Sequence, residues 1–298
     1  MRSAVTLAAV AATLALLGIW ATGGFDVLSA WAAGQQRGFQ NTIATGLRAT
    51  RGGEAGALAT VLTACFLYGL AHAAGPGHGK VLIGGYGLAR RVPMLRLSLI
   101  ALTASLGQAV TAVVLVYAGV MVLNLSREAL VDVTEDIMAP ASYGAIALIG
   151  LWLIWRGLRH LRGAGPHNLQ TSHNHEACPS CGHAHGPSLR EVDDAVTLRD
   201  ALVLIAGIAI RPCTGALFVL IITWHMGIGG AGIFGAFAMA LGTALVTIAV
   251  GLAAGGLRGG LLAGLGGSPR MAQVAAVVEL TAGALVAVLA GGLLFRAV

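Results

Sequence analysis

Seven stretches of this chain run for about 20 residues each with hardly a charged side chain, and a segment of that kind has few places to go. Lipid offers backbone N–H and C=O groups no hydrogen-bond partners, so a spanning segment must satisfy its own, as a helix does. The stretches are 4–22, 57–75, 97–122, 140–157, 200–224, 231–255 and 272–295. Charged residues make up 10% of the chain against about 25% in a soluble domain, and mean hydropathy is +0.83. Glycine is abundant, at 44 residues. Small residues let helices approach closely where lipid removes the hydrophobic drive between them. The expected fold is an all-α polytopic membrane protein with about seven transmembrane helices.

The net charge is +6. No basic run interleaved with aromatics is present, so nucleic acid is excluded as a partner and the lipid bilayer takes its place. Positive loops beside apolar spans set orientation. An N-terminus in the cytoplasm puts most of the basic residues on that side, among them Lys80, Arg90, Arg156 and Arg162, with Lys80 at the cytoplasmic edge. The acidic stretch "SREALVDVTEDIM" then falls in an outer loop. The first segment is long for the core of a signal peptide, and no A-x-A site follows at once, so we read it as a retained helix. Behind it Phe25, Leu28, Trp31, Phe39, Ile43 and Leu47 recur near helical spacing, with Gln35, Gln36, Arg37, Gln40 and Arg48 between them. That pattern describes an amphipathic helix on the outer membrane surface.

Four regions follow: an N-terminal helix with its amphipathic segment, 1–56; a first three-helix half, 57–157; a polar loop, 158–199; and a second three-helix half, 200–298. The halves share a feature. "YGLAHAAGPGHGKVLIGGY" and "IAGIAIRPCTGALFVLI" align Pro76 with Pro212 and Gly79 with Gly215. The two segments cross in opposite directions, which predicts two inverted repeats, each opening with a broken helix. In transporters such breaks mark the substrate site near the midplane.

Proline removes a backbone hydrogen bond and glycine lets the chain leave helical geometry. The freed groups survive only where protein or a water-filled cavity covers them, so both breaks should face the bundle interior. His72 and His78 flank the first break. Six residues apart, they would point about 240° from each other on a regular helix, and the Gly-Pro-Gly break is what would bring them together. Imidazole suits Ni, Co, Zn and Cu, and Cys213 at the second break adds a soft donor. A lone buried histidine is more often a packing residue, but ionisable groups inside a membrane are functional by default. Arg211 should pair with carbonyls or sit near the cytoplasmic mouth, and Glu279 is either its partner or an ion ligand. "GPGHGKV" is not a phosphate loop, since Val81 stands where Ser or Thr is required.

In "HNHEACPSCGHAHG", His173, His175, Cys178, Cys181, His183 and His185 fall within one short stretch. A C-x-x-C flanked by two H-x-H pairs offers more than four ligands of borderline softness. It reads as a cytoplasmic metal-binding loop or a structural zinc knuckle; a redox C-x-x-C lacks its usual strand-helix setting.

At "HAAGPGHGKVLIGGY" and "IRPCTGALFVL", with a His-rich loop between the halves, the chain resembles the NicO family of bacterial nickel/cobalt transporters over about residues 20–295. The resemblance implies a multi-pass inner-membrane permease that exports Ni2+ or Co2+, not an enzyme. It implies no cofactor beyond the transported or bound metal. It also implies that His72 and His78 are transport residues and that the loop collects or senses cytosolic metal. Two cysteines in that loop bring Zn2+ in as an alternative, because thiolates favour it. With no nucleotide-binding motif, an ion gradient is the expected drive. The readings allow a homo-oligomer. Two rivals stand beside export: uptake of the same metals, and a membrane thiol-disulfide electron carrier using Cys213. The carrier needs a second cysteine close by, and Cys65 precedes Pro76 by about three helical turns, ~16 Å.

Overall fold

The computed structural model describes residues 22–75, 78–90, 92–122, 126–163, 198–263 and 270–297. These are almost wholly helical, with no strand among them. In chain order the helices are α1 (Gly24–Arg51), α2 (Ala57–Ala74), α3 (His78–Ala89), α4 (Met94–Met121) and α5 (Arg127–Asp132). A π-helical turn (Val133–Met138) leads into α6 (Ala139–Gly163). Then come α7 (Leu198–Ala209), α8 (Thr214–His225), α9 (Gly229–Ala263) and α10 (Arg270–Ala297). Segments Ala57–Ala74, Met94–Val120, Glu128–Arg162, Gly229–Gly260 and Gln273–Ala297 are long and apolar enough to cross a membrane. Helices α7 and α8 pass the same test only as a pair, bent by 59° at their break, which makes them a broken sixth span or a re-entrant hairpin. Five of the seven apolar stretches are thus helices of spanning length, 200–224 is this bent pair, and the first, 4–22, lies outside the described residues but for its last residue. Leu95, Val114, Leu148 and Phe295 stand exposed on the outer faces, where lipid is their natural solvent.

The amphipathic segment is α1, and the latter half of its apolar stripe packs on protein while Trp31 stays exposed. Ala32, Ile43 and Leu47 are buried, and α1 runs antiparallel along the length of α2. The reversal between them uses Gly53 and Gly56, with φ of +77° and +79°, a left-handed geometry that β-carbons disfavour. "SREALVDVTEDIM" is not a loop. Ser126 caps α5 by accepting from the Ala129 N–H at 3.2 Å, and the π-helical turn then carries the chain into α6.

Each broken helix lies along a helix of the other half. The α2–α3 pair runs parallel to α9, with Gly69 against Met239 and Gly84 against Val250. The α7–α8 pair runs parallel to α4, with Gly107 against Ala209 and Tyr117 edge-on to Trp224 at 5.1 Å. Helices α3 and α8 both begin two residues after the proline, at His78 and Thr214, and both are 12 residues long. Two apolar clusters flank the level of the breaks, one around Cys65, Tyr68, Val116 and Leu220, the other around Leu82, Ile83, Ile146 and Val286.

Helices α6 and α10 cross through glycine. A β-carbon on Gly150 would lie 2.6 Å from the Ala287 nitrogen, and one on Gly283 would lie 2.9 Å from that of Ile154. Near this crossing the buried Glu279 meets Arg156 Nε at 3.2 Å and accepts from His160 Nδ1 at 3.0 Å. So Glu279 partners Arg156 and His160, and Arg211 belongs elsewhere. Removing one member of a buried pair strands the other's charge, at a cost of about 3–5 kcal/mol. Glu279→Leu is therefore expected to lower the thermal unfolding midpoint in detergent by far more than Arg37→Ala, a change on the exposed face of α1. Equal midpoints for the two variants would show the cluster to be energetically neutral.

Candidate functional site

The last turn of α2 carries His72, and its imidazole is held from three directions. Nδ1 lies 3.2 Å from Gln36 Oε1, while the Gln36 amide N–H donates to the Ala32 carbonyl at 3.3 Å. That arrangement leaves Gln36 Oε1 to accept, so Nδ1 carries the proton and Nε2 keeps its lone pair. The Tyr68 ring, one turn earlier, stacks on the imidazole at 6.1 Å between centroids, 8° from parallel. Across the second break, Cys213 lines the same cavity as His72 and is close enough to interact with it electrostatically.

Both breaks leave carbonyls without helical partners, and side chains close them. Gly75, extended at φ −64° and ψ 166°, has its carbonyl capped by the Lys80 ammonium. At the end of α7, Gln108 donates to the Ile208 carbonyl at 3.1 Å and Ser142 to that of Gly207 at 2.8 Å. Proline at 212 then forces the turn, and Cys213 becomes the residue that opens α8, facing the N–H groups of Gly215 and Ala216. Arg211 donates to the Tyr143 hydroxyl and, at 2.8 Å, to Glu135 Oε2 from the π-helical turn. A charge in a span needs a partner, and here it is Glu135 rather than Glu279.

Between the breaks is a cavity of about 520 Å³. His72, Lys80, Arg211, Cys213 and Arg296 line it, with Ser105, Gln108, Tyr143, Thr214, Thr243 and Thr247 as neutral polar groups. Lys80 stands at the break itself, and the chain continues beyond it as α3 with Leu82, Ile83, Tyr86 and Ala89 buried. The helix that follows Lys80 thus stays inside the bundle.

Of the residues singled out in the sequence, His72 and Cys213 come together. His78 is the first residue of α3, and its side chain lies outside what the structure describes. His173, His175, Cys178, Cys181, His183 and His185 lie outside the described residues as well. Among the described residues no three His, Cys, Asp or Glu side chains gather closely enough to hold a metal. Nothing in the sequence marks Gln36, Tyr68, Gln108 or Glu135. Gln36 reads as the polar face of a surface helix and Glu135 as part of a loop, and no local pattern connects either to a break more than thirty residues away.

The family model for NicO, "High-affinity nickel-transport protein", matches residues 58–179. A Haemophilus influenzae protein named "Putative nickel/cobalt efflux system" is 30% identical over 251 residues, covering 78% of this chain and 76% of that protein. No solved structure matches.

Proposed function

The chain belongs to the NicO family of nickel/cobalt transporters, and we propose that it carries Ni2+ or Co2+ out of the cytoplasm through the cavity between its two helix breaks. The observation that carries this reading is the meeting of His72 with Cys213 across those breaks. Imidazole and thiolate are donors for late first-row metals, and Gln36 holds the first of them in one orientation by accepting from its other ring nitrogen. His78, at the mouth of α3, is the third candidate donor. The crosswise packing of each broken helix on the opposite half supports inverted repeats, an architecture that rocks around a fixed midplane site.

The membrane is the inner membrane and the N-terminus lies in the cytoplasm, following the distribution of basic residues. His173, His175, Cys178, Cys181, His183 and His185 then lie on the cytoplasmic side, where they gather metal for export. Zinc is the alternative cargo on the strength of the cysteines. The electron-carrier reading has less support, because Cys65 is fully buried in the packed cluster beside α9, away from any exposed face.

Cells making the protein should hold less nickel and cobalt than cells without it, with zinc and copper unchanged, when all four are measured together. His78→Ala should abolish the difference at equal expression, and deletion of 167–186 should only weaken it. Higher metal content in expressing cells would make the protein an importer; full resistance in the His78→Ala strain would remove His78 from the site.

A further inference from the structure

The walls of the cavity have the wrong sign for a bare dication. Three cationic side chains line it, Lys80, Arg211 and Arg296, and no carboxylate among the described residues does. Glu135 occupies one edge of Arg211 from the rim, and no ion pair among the described residues reaches Lys80 or Arg296. Broken-helix sites for cations commonly use the carbonyls freed at the break. Here Lys80, Gln108 and Ser142 already cap those of Gly75, Ile208 and Gly207. The opposite ends of the breaks are open to the cavity: Gly79 and Lys80 at the start of α3, Cys213 and Thr214 at the start of α8. Helix N-termini carry partial positive charge and favour anions. Ala101, Ala104, Ile146 and Ile208 add apolar wall that suits carbon rather than a hydration shell.

Resting on the transport reading above, we propose that the cargo enters as an anionic chelate, the metal ion carrying a small polycarboxylate. The chelator's carboxylates face Lys80, Arg211, Arg296 and the two helix N-termini, and the metal presents its remaining coordination positions to His72 and Cys213. Carboxylates pair well with ammonium and guanidinium groups, so the ligand supplies the negative charge that the walls lack.

The test uses the purified full-length protein in proteoliposomes, with radiolabelled nickel and radiolabelled citrate as probes. Nickel is supplied hydrated in a non-coordinating buffer, or with equimolar citrate; citrate is also supplied alone. Citrate should cross only when nickel is present, and nickel should cross about tenfold faster with citrate than without, the scale of one charged hydrogen bond. Arg296→Gln should slow citrate entry while the thermal midpoint holds, and Lys80→Gln should do the same in so far as its amide N–H can still cap the Gly75 carbonyl. Nickel crossing as fast without citrate, with no citrate label inside, overturns the chelate and leaves transport standing. No nickel crossing in either form overturns both.

Discussion

A His72→Ala variant is expected to fold and yet to lose nickel and cobalt transport by about a hundredfold or more. The scale follows from its neighbour: loss of a second-shell partner alone costs about 10–100-fold in metal affinity or activity, and His72 is the group that such a partner serves. Gln36 Oε1 accepts from Nδ1–H and so reserves Nε2, and Cys213 lies with the imidazole on the cavity wall. The cavity holds no described acidic side chain that could stand in. Gln36→Ala is the graded companion. It leaves the imidazole but frees it to turn and change tautomer, so transport should fall about tenfold, mainly as a weaker apparent affinity. A packing histidine would behave differently: His72→Ala would lower the thermal midpoint and leave transport per folded molecule within twofold of wild type.

Gly242→Leu should prevent assembly of the bundle, and even Gly242→Ala should impair it. A β-carbon at Gly242 would overlap the Phe66 carbonyl oxygen and lie 3.0 Å from the Leu70 nitrogen. One at Gly69, on the facing helix, would lie 2.9 Å from the Met239 carbonyl carbon. These neighbours are backbone, so no rotamer change relieves the contact, and α2 and α9 must separate. Overpacking a tight interior costs about 1–3 kcal/mol even where side chains can shift. The functional consequence is local as well. Thr243 donates to the Gly69 carbonyl at 3.4 Å, and His72 lies one turn further along α2, so displacing α2 draws the imidazole off Cys213. Gly255, on the same helix, is the control: nothing lies within 4 Å of its virtual β-carbon. Gly255→Ala should be neutral or stabilising by about 1 kcal/mol from helix propensity. The close-approach argument is falsified if Gly242→Ala matches wild type in both expression and transport.

Glycine explains much of the difference between what was legible and what was not. The spans at 57–75, 97–122 and 231–255 could be read from apolar length alone, as could the breaks at Pro76 and Pro212. Which glycines are contacts could not. Gly242 and Gly255 look alike in sequence; one touches backbone and the other touches nothing. Arg211 shows the same limit. Its need for a partner follows from its place in a span, but both Glu279 and Glu135 were available, and only the packing of the π-helical turn beside the second break selects Glu135. Lys80 looked like a cytoplasmic edge because a charge after an apolar run usually is one. The helix that follows it is buried against α9 and α10, which a window of local hydropathy does not reveal.

By itself the sequence determined that this chain lives in a membrane, which stretches are apolar enough to cross it, and where proline and glycine interrupt two of them; it also offered the side chains at those breaks as candidate metal donors. Those properties are local: lipid demands an apolar length that satisfies its own backbone, and proline and glycine interrupt it wherever they stand. The tertiary structure alone decided that His72 meets Cys213, that Gln36 on α1 orients it, and that cations line the cavity between the breaks. Such pairings depend on which helix faces lie side by side. In lipid that choice rests on close contact between small residues far apart in the chain, not on apolarity, which every span shares.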